Sequence, residues 1–234
     1  MKPYYEEAGI TIYHGDCRKI LPLGTVDCVI TDPPYSDVTH AGARTKPIRN
    51  KGEAGVLLDF PPIGVAQLRH VLACDVRRWT VAFMDWRHIS EFEHCPPAQT
   101  RFVRFGIWVK PNGAPQFTGD RPATGWEGIA IMHREDAAMR WNGGGTRAVW
   151  THPHPGGDLH PTQKPEELLR SLVRLFSDAG EIVLDPFMGS GTTLLAAKEL
   201  GRKAIGIELE ERYCEIAANR LRQSVFNFEL AEVV

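Results

Sequence analysis

Two short stretches carry side chains whose types and spacing suit chemistry: VITDPPY at 29–35 and LDPFMGSGTT at 184–193. In the first, an apolar run ends at Asp32 and is followed by Pro33, Pro34 and Tyr35. A rigid stop after a buried strand would account for the prolines alone. It leaves unexplained an acid and an aromatic bracketing them at a strand's carboxyl end, where open α/β sheets bind ligands. The prolines fix the backbone, so the Asp32 carboxylate and the Pro33 carbonyl can face one point. Two convergent acceptors suit an amino group, which has two hydrogens to place. Tyr35 beside them offers a flat face to a planar ring.

In the second stretch a strand ends at Asp185, and Phe187, Gly189, Ser190, Gly191 and Thr192 lead into a helix. The glycines let backbone approach a ligand, and the helix start offers free amides. A phosphate loop would need Gly-Lys-Ser/Thr, whereas this turn reads Gly191-Thr192-Thr193, so a polyphosphate site is disfavoured. The next strand, AIGIELE, ends at Glu208, where an acid commonly bonds ribose hydroxyls. A lone glycine-rich turn is most often a plain connection. Acids at both strand ends favour a nucleoside site.

The elements that must position these residues are legible as apolar runs alternating with amphipathic stretches, the pattern of an α/β sheet. Strands are predicted over Ile10–His14, Val26–Thr31, Trp79–Asp85, Phe102–Lys110, Glu127–His133, Glu181–Asp185 and Ala204–Glu208. Helices are predicted over Pro165–Ser177, Thr192–Leu200 (closed by Gly201) and Glu210–Arg222. Residues 36–56, 111–126 and 142–160 read as loops, the first holding Arg44, Lys46, Arg49 and Lys51 and the last GGG and HPHPGGD. His152, His154 and His160 fit that loop better than a metal site. The tryptophans are expected mostly in the core. Trp108, before a basic loop, reads either as core or as the wall of a nucleic-acid groove.

The chain has 234 residues, 43% hydrophobic, with 27 basic against 29 acidic side chains and a net charge of −2. That size suits one α/β domain. The balance excludes a globally basic nucleic-acid binder, so such binding would rest on local patches. Five scattered cysteines without a CxxC pair read as reduced thiols, not a disulfide frame or zinc site. No membrane-length apolar stretch or signal-peptide core is present, which leads to the expectation of a soluble, cytoplasmic protein.

Taken together, the motifs resemble those of the β-class amino-methyltransferases of DNA. Asp32-Pro33-Pro34-Tyr35 matches the family's catalytic motif, and Phe187-Met188-Gly189-Ser190-Gly191-Thr192 matches its cofactor motif. HPTQKP at 160–165, with Lys164, resembles the segment preceding that motif. YHGDC at 13–17, with Asp16 and Cys17, resembles the strand end that holds the adenine of S-adenosylmethionine.

The resemblance implies a doubly wound, mostly parallel, Rossmann-like sheet, circularly permuted so that both chain ends build the cofactor site. It implies one domain over residues 1–234, with DNA-contacting loops at about 36–60, 111–126 and 134–160. Asp32, Pro33, Pro34 and Tyr35 would be catalytic. Asp16, Cys17, Asp32, Lys164, Asp185, Phe187, Gly189, Ser190, Gly191, Thr192 and Glu208 would hold S-adenosylmethionine, and Arg44, Lys46, Arg49 and Lys51 would bind phosphates of double-stranded DNA.

The implied reaction flips a base from the duplex and methylates its exocyclic amine directly, without a cysteine intermediate. An acid or amide before Pro-Pro mostly accompanies N6 of adenine in that family, and serine mostly N4 of cytosine, so adenine is expected; N4 of cytosine in DNA is the first alternative, and RNA or a free nucleobase the more distant one. Small members are often homodimers, and bacterial or phage origin fits the resemblance.

Overall fold

A computed structural model describes residues 2–34, 63–156 and 163–229, with side chains through 223 in the last helix. Its elements are β1 (Tyr5–Glu7), β2 (Ile10–His14), α1 (Cys17–Ile20), β3 (Val26–Thr31), α2 (Val65–Leu72), β4 (Val76–Met84), α3 (Ile89–His94), β5 (Thr100–Val109), β6 (Trp126–Arg134), β7 (Val149–Thr151), α4 (Glu166–Phe176), β8 (Ile182–Asp185), α5 (Thr192–Glu199), β9 (Lys203–Glu208) and α6 (Glu211–Glu229).

The strands form one sheet in the order β1-β2-β9-β8-β3-β4-β6-β5-β7. Neighbours from β2 to β4 pair in parallel; β1 pairs antiparallel with β2, and β6 antiparallel with both β4 and β5. All six residues of β3 are buried, as a central strand covered on both faces requires. Side-chain alternation feeds two cores. Val81 and Phe83 join Leu169, Leu172 and Phe176 of α4 on one face, and Ala82 and Met84 join Leu68 and Leu72 of α2 on the other.

The fold is doubly wound and permuted. β2, the first strand in the parallel run, lies in register against β9, the last strand among the described residues, with His14 opposite Glu208. Arg222 of α6 then covers the ring of Tyr5, 5.3 Å from its centroid, so the two ends of the described chain meet. Strand order reverses between β8 and β3: from β8 the chain winds outward through β9, and from β3 it winds the other way through β4.

Helix boundaries follow local chemistry. Pro165 is the N-cap of α4, with Glu166 and Glu167 in its first turn at the positive end of the dipole. Gly201, at φ 74°, ends α5. Several elements depart from expectation. β4 begins at Val76 and α6 runs to Glu229. The loop predicted over 142–160 contains β7, a three-residue strand in which only Trp150 is buried, too short for an alternation to show. It exists because the end of β5 supplies its ladder. β1, α1, α2 and α3 are likewise short and went unanticipated.

Trp79, Trp108 and Trp150 are core residues, whereas Trp86 is half exposed beside Arg87. The five cysteines are free thiols; Cys17, Cys28 and Cys214 are buried. No described helix is long and apolar enough to cross a membrane.

Candidate active site

The carboxyl ends of four consecutive strands in the sheet, β2, β9, β8 and β3, each carry an acid: Asp16, Glu208, Asp185 and Asp32. Strand spacing puts this row at about 14 Å from end to end. Asp16, on the outer strand, caps α1 by accepting from the Arg18 amide at 2.9 Å and pairs with the Arg18 guanidinium at 2.7 Å. The Arg18 bond, ahead of burial's opposing effect, holds its carboxyl below the usual range. Cys17 is buried against Ile20, Val71 and Ile207, and burial pushes its thiol up to about 12. A thiol held protonated in this way packs as an apolar side chain and is not poised as a nucleophile.

Glu208 anchors the glycine-rich turn. Its Oε2 accepts from the Gly189 amide and its Oε1 from the Glu210 amide, both at 2.9 Å. Burial raises its pKa against the pull of these donors. Glycine is required at one position of the turn and at one position of β9 beneath it. Gly191 sits at φ 78°, and a Cβ there would lie 2.7 Å from the Ala217 Cβ. At Gly206 a Cβ would lie 2.4 Å from the Met188 sulfur. Ser190 and Thr192 are buried at the start of α5, tied by the Arg220 guanidinium, which donates to the Ser190 carbonyl at 2.6 Å and reaches Glu166 at 2.8 Å. Phe187, half-buried, donates its amide to Asp185 Oδ1 at 3.1 Å.

Asp185 is sealed between β8 and β3, where Thr31 Oγ1 donates to its Oδ1 at 2.6 Å. Burial dominates over these hydrogen bonds and raises its pKa to about 6. The next acid, Asp32, is one residue beyond Thr31. Lys164, immediately before α4, donates to Asp32 Oδ2 at 2.5 Å and lies 3.2 Å from Glu127 Oε2 of β6. Glu127 also pairs with Lys110, at the end of β5. The Lys164 ammonium rests over the rings of Phe83 and Trp108, at 4.9 and 5.9 Å. Lys110 covers Trp108 at 4.6 Å, and His154 stacks on the same indole.

Burial raises the Asp32 pKa against Lys164; Asp32 and Glu127 together hold Lys164 cationic despite its burial. Glu127, although desolvated, is held down at about 2 by Lys164 and Lys110.

The structure therefore assembles Asp16, Cys17, Asp32, Pro33, Pro34, Lys164, Asp185, Phe187, Gly189, Ser190, Gly191, Thr192 and Glu208 along one edge of the sheet. Tyr35, Arg44, Lys46, Arg49 and Lys51 lie outside the described residues. The chain on either side of them is closed at the site, since the Ile63 amide donates to the Pro34 carbonyl at 2.9 Å. Sequence reasoning missed Lys110, Glu127 and Arg220. The only trace of the first two is a charged residue at each end of facing apolar strands. Trp108 is fully buried, and it forms the floor beneath Lys164 instead of a groove wall.

A nucleoside that also carries an amino acid fits this row. The acids offer acceptors to hydroxyls and to positive charge, and the turn delivers the free amides of the α5 start to the same edge.

The profile of the DNA methylase family matches residues 26–219. The chain is 27% identical to the Type II methyltransferase M.XycI of Xanthomonas campestris pv. cyanopsidis, over 92% of this chain and 88% of the relative. It is 28% identical to the Type II methyltransferase M2.LlaDCHI of Lactococcus lactis subsp. cremoris, over 95% and 93%. The crystal structure of the M1.HpyAVI–SAM complex superposes with a TM-score of 0.70 at 28% identity, covering 90% of this chain and 99% of that one. This chain belongs to the DNA methylase family of N6 and N4 methyltransferases.

Proposed function

We propose that the protein transfers a methyl group from S-adenosylmethionine to N6 of adenine in double-stranded DNA, as a Type II modification enzyme. One observation carries the reading. Thr31 of β3 is hydrogen-bonded to Asp185 of β8, so Asp32 and the glycine-rich turn leave neighbouring strands at the point where strand order reverses. A donor in the turn and an amine at Asp32 would then be adjacent, as direct transfer requires. The family match and the complex solved for M1.HpyAVI support the same cofactor.

S-adenosylmethionine supplies an electrophilic methyl group. Glu208 and Asp16 would hold its nucleoside end, and the Gly189–Gly191 turn, Phe187 and Asp185 would line the remainder. Asp32 and the Pro33 carbonyl accept the two hydrogens of the target amine. This favours a pyramidal nitrogen whose lone pair no longer feeds the ring. Tyr35 stacks on the flipped base, contributing about 1–3 kcal/mol against an extrusion cost of a few kcal/mol. Holding both reactants on a rigid sheet edge can supply several kcal/mol of barrier reduction.

DNA approaches the edge bearing these acids. The loop at 111–126 joins the ends of β5 and β6 on that edge, and Phe117 at its tip is 87% exposed. Arg44, Lys46, Arg49 and Lys51 belong to the segment that leaves at Pro34 and returns at Ile63, and serve as phosphate contacts. The adenine assignment rests on Asp32 occupying the position before Pro-Pro.

Tritiated methyl transfer to duplex DNA, RNA and nucleosides, followed by digestion and mass spectrometry, tests the reading. N6-methyladenine from duplex DNA is the expected product. N4-methylcytosine would reverse the base assignment, and transfer confined to RNA or nucleosides would reverse the substrate.

A further inference from the structure

Asp32 does not stand alone: it begins a chain of alternating charges, Asp32–Lys164–Glu127–Lys110, that runs from β3 across to β5, with Lys164 buried and the other three partly buried. Charged groups drawn partly out of water are costly unless each is paired, and here the four sum to zero. The layout of the bonds is unequal. Lys164 engages Asp32 through Oδ2 and spends a second donor on Glu127 Oε2, while Lys110 takes Glu127 Oε1. The floor of the chain is apolar, formed by Phe83 and Trp108.

We propose that Glu127 is a positioning residue for methyl transfer: by sharing Lys164 with Asp32 it holds the ammonium on Oδ2 and leaves Oδ1 to accept from the target amine, with Lys110 fixing Glu127 in turn. The inference rests on Asp32 being the acceptor of that amine. Without Glu127 the Lys164 charge would fall wholly on Asp32, and the carboxylate would be a poorer acceptor for a neutral amine.

The charged groups facing Asp32 are Lys164 ahead of α4, Glu127 on β6, Lys110 at the end of β5 and Asp185 on β8. His154, beyond β7, feels Lys110, Glu127 and Lys164 in turn. Glu127 raises the Asp32 pKa, and Lys110 lowers it. The two neighbours must therefore move it in opposite directions when neutralised, a signature that loss of packing alone cannot give.

The test follows the pH dependence of kcat/KM together with the 13C carboxyl titration of Asp32 in cofactor-free protein, assigned as the resonance lost in Asp32→Asn. Glu127→Gln is expected to lower kcat at least tenfold with little change in KM. It should also move both the acid limb and the Asp32 titration down by about 1–2 pH, the order expected for charges sharing one ammonium at an effective dielectric of about 20. Lys110→Gln should move both up. The double variant E127Q/K110Q restores charge balance and should bring the titration back towards wild type, even if either single variant folds poorly. Shifts of the same sign, or none, in folded protein would overturn the proposal. Absence of methyl transfer by the wild-type protein would instead count against the proposed function, and the carboxyl titrations would still report on the charge chain.

Discussion

Thr31 Oγ1 donates to Asp185 Oδ1 at 2.6 Å, joining the strand that delivers Asp32 to the strand that delivers the glycine-rich turn. The bond spans 154 positions of sequence and fixes the two halves of the site against each other. Thr31→Val keeps shape but removes the donor, leaving a buried carboxylate short of a partner. It is expected to cost about 1–3 kcal/mol of stability, read by urea unfolding. A change under about 0.5 kcal/mol would show the bond to be incidental.

Asp185 gives a pH signature of known sign. Its folded pKa of about 6 lies above the ordinary value of 3.8, so the folded state binds the extra proton between these values. The stability contributed by protonated Asp185 is fully present below about pH 4 and is lost as pH rises through about 6. At pH 7.5 the ionised group costs roughly 3 kcal/mol or less. Asp185→Asn should therefore raise stability at pH 7.5, leave it nearly unchanged at pH 4, and weaken cofactor binding. Equal effects at both pH values would contradict this placement of the charge.

Asp16→Ala and Glu208→Ala should each weaken S-adenosylmethionine binding in calorimetry. Glu208→Ala should also destabilise the protein, because the Gly189 and Glu210 amides lose their acceptor and the glycine-rich turn loses its anchor. Unchanged affinity in both variants would break the link between the two chain ends and the cofactor.

Asp32→Ala should abolish methyl transfer while leaving cofactor binding measurable. Tyr35→Ala should lose most activity, and Tyr35→Phe should keep a good part of it by retaining a stacking face. Near-wild-type turnover of Asp32→Ala would place the amine elsewhere.

Replacing Arg44, Lys46, Arg49 and Lys51 by alanine should flatten the salt dependence of DNA affinity, each phosphate contact contributing about 0.9 to the log–log slope. Phe117→Ala, at an exposed loop tip, should leave stability within about 0.5 kcal/mol and raise KM for DNA. An unaltered salt slope would return the basic cluster to a solvated loop.

The long elements and most of the cofactor turn were legible in sequence because their causes are local. Asp32-Pro33-Pro34 and Gly189-Ser190-Gly191 are tied to strand ends by proline geometry and glycine freedom, and the short apolar runs of β3 and β8, each stopped by an acid and proline, read as buried strands. The permuted order also followed from the motifs. What only the tertiary structure decided is which distant side chains share a charge. Lys164 lies 132 positions from Asp32, and Glu127 reaches the same ammonium only because β6 runs antiparallel to β4 and brings its start to the edge where β3 ends. Such pairings leave no period or spacing in the sequence, since burial and electrostatics act through space and not along the chain.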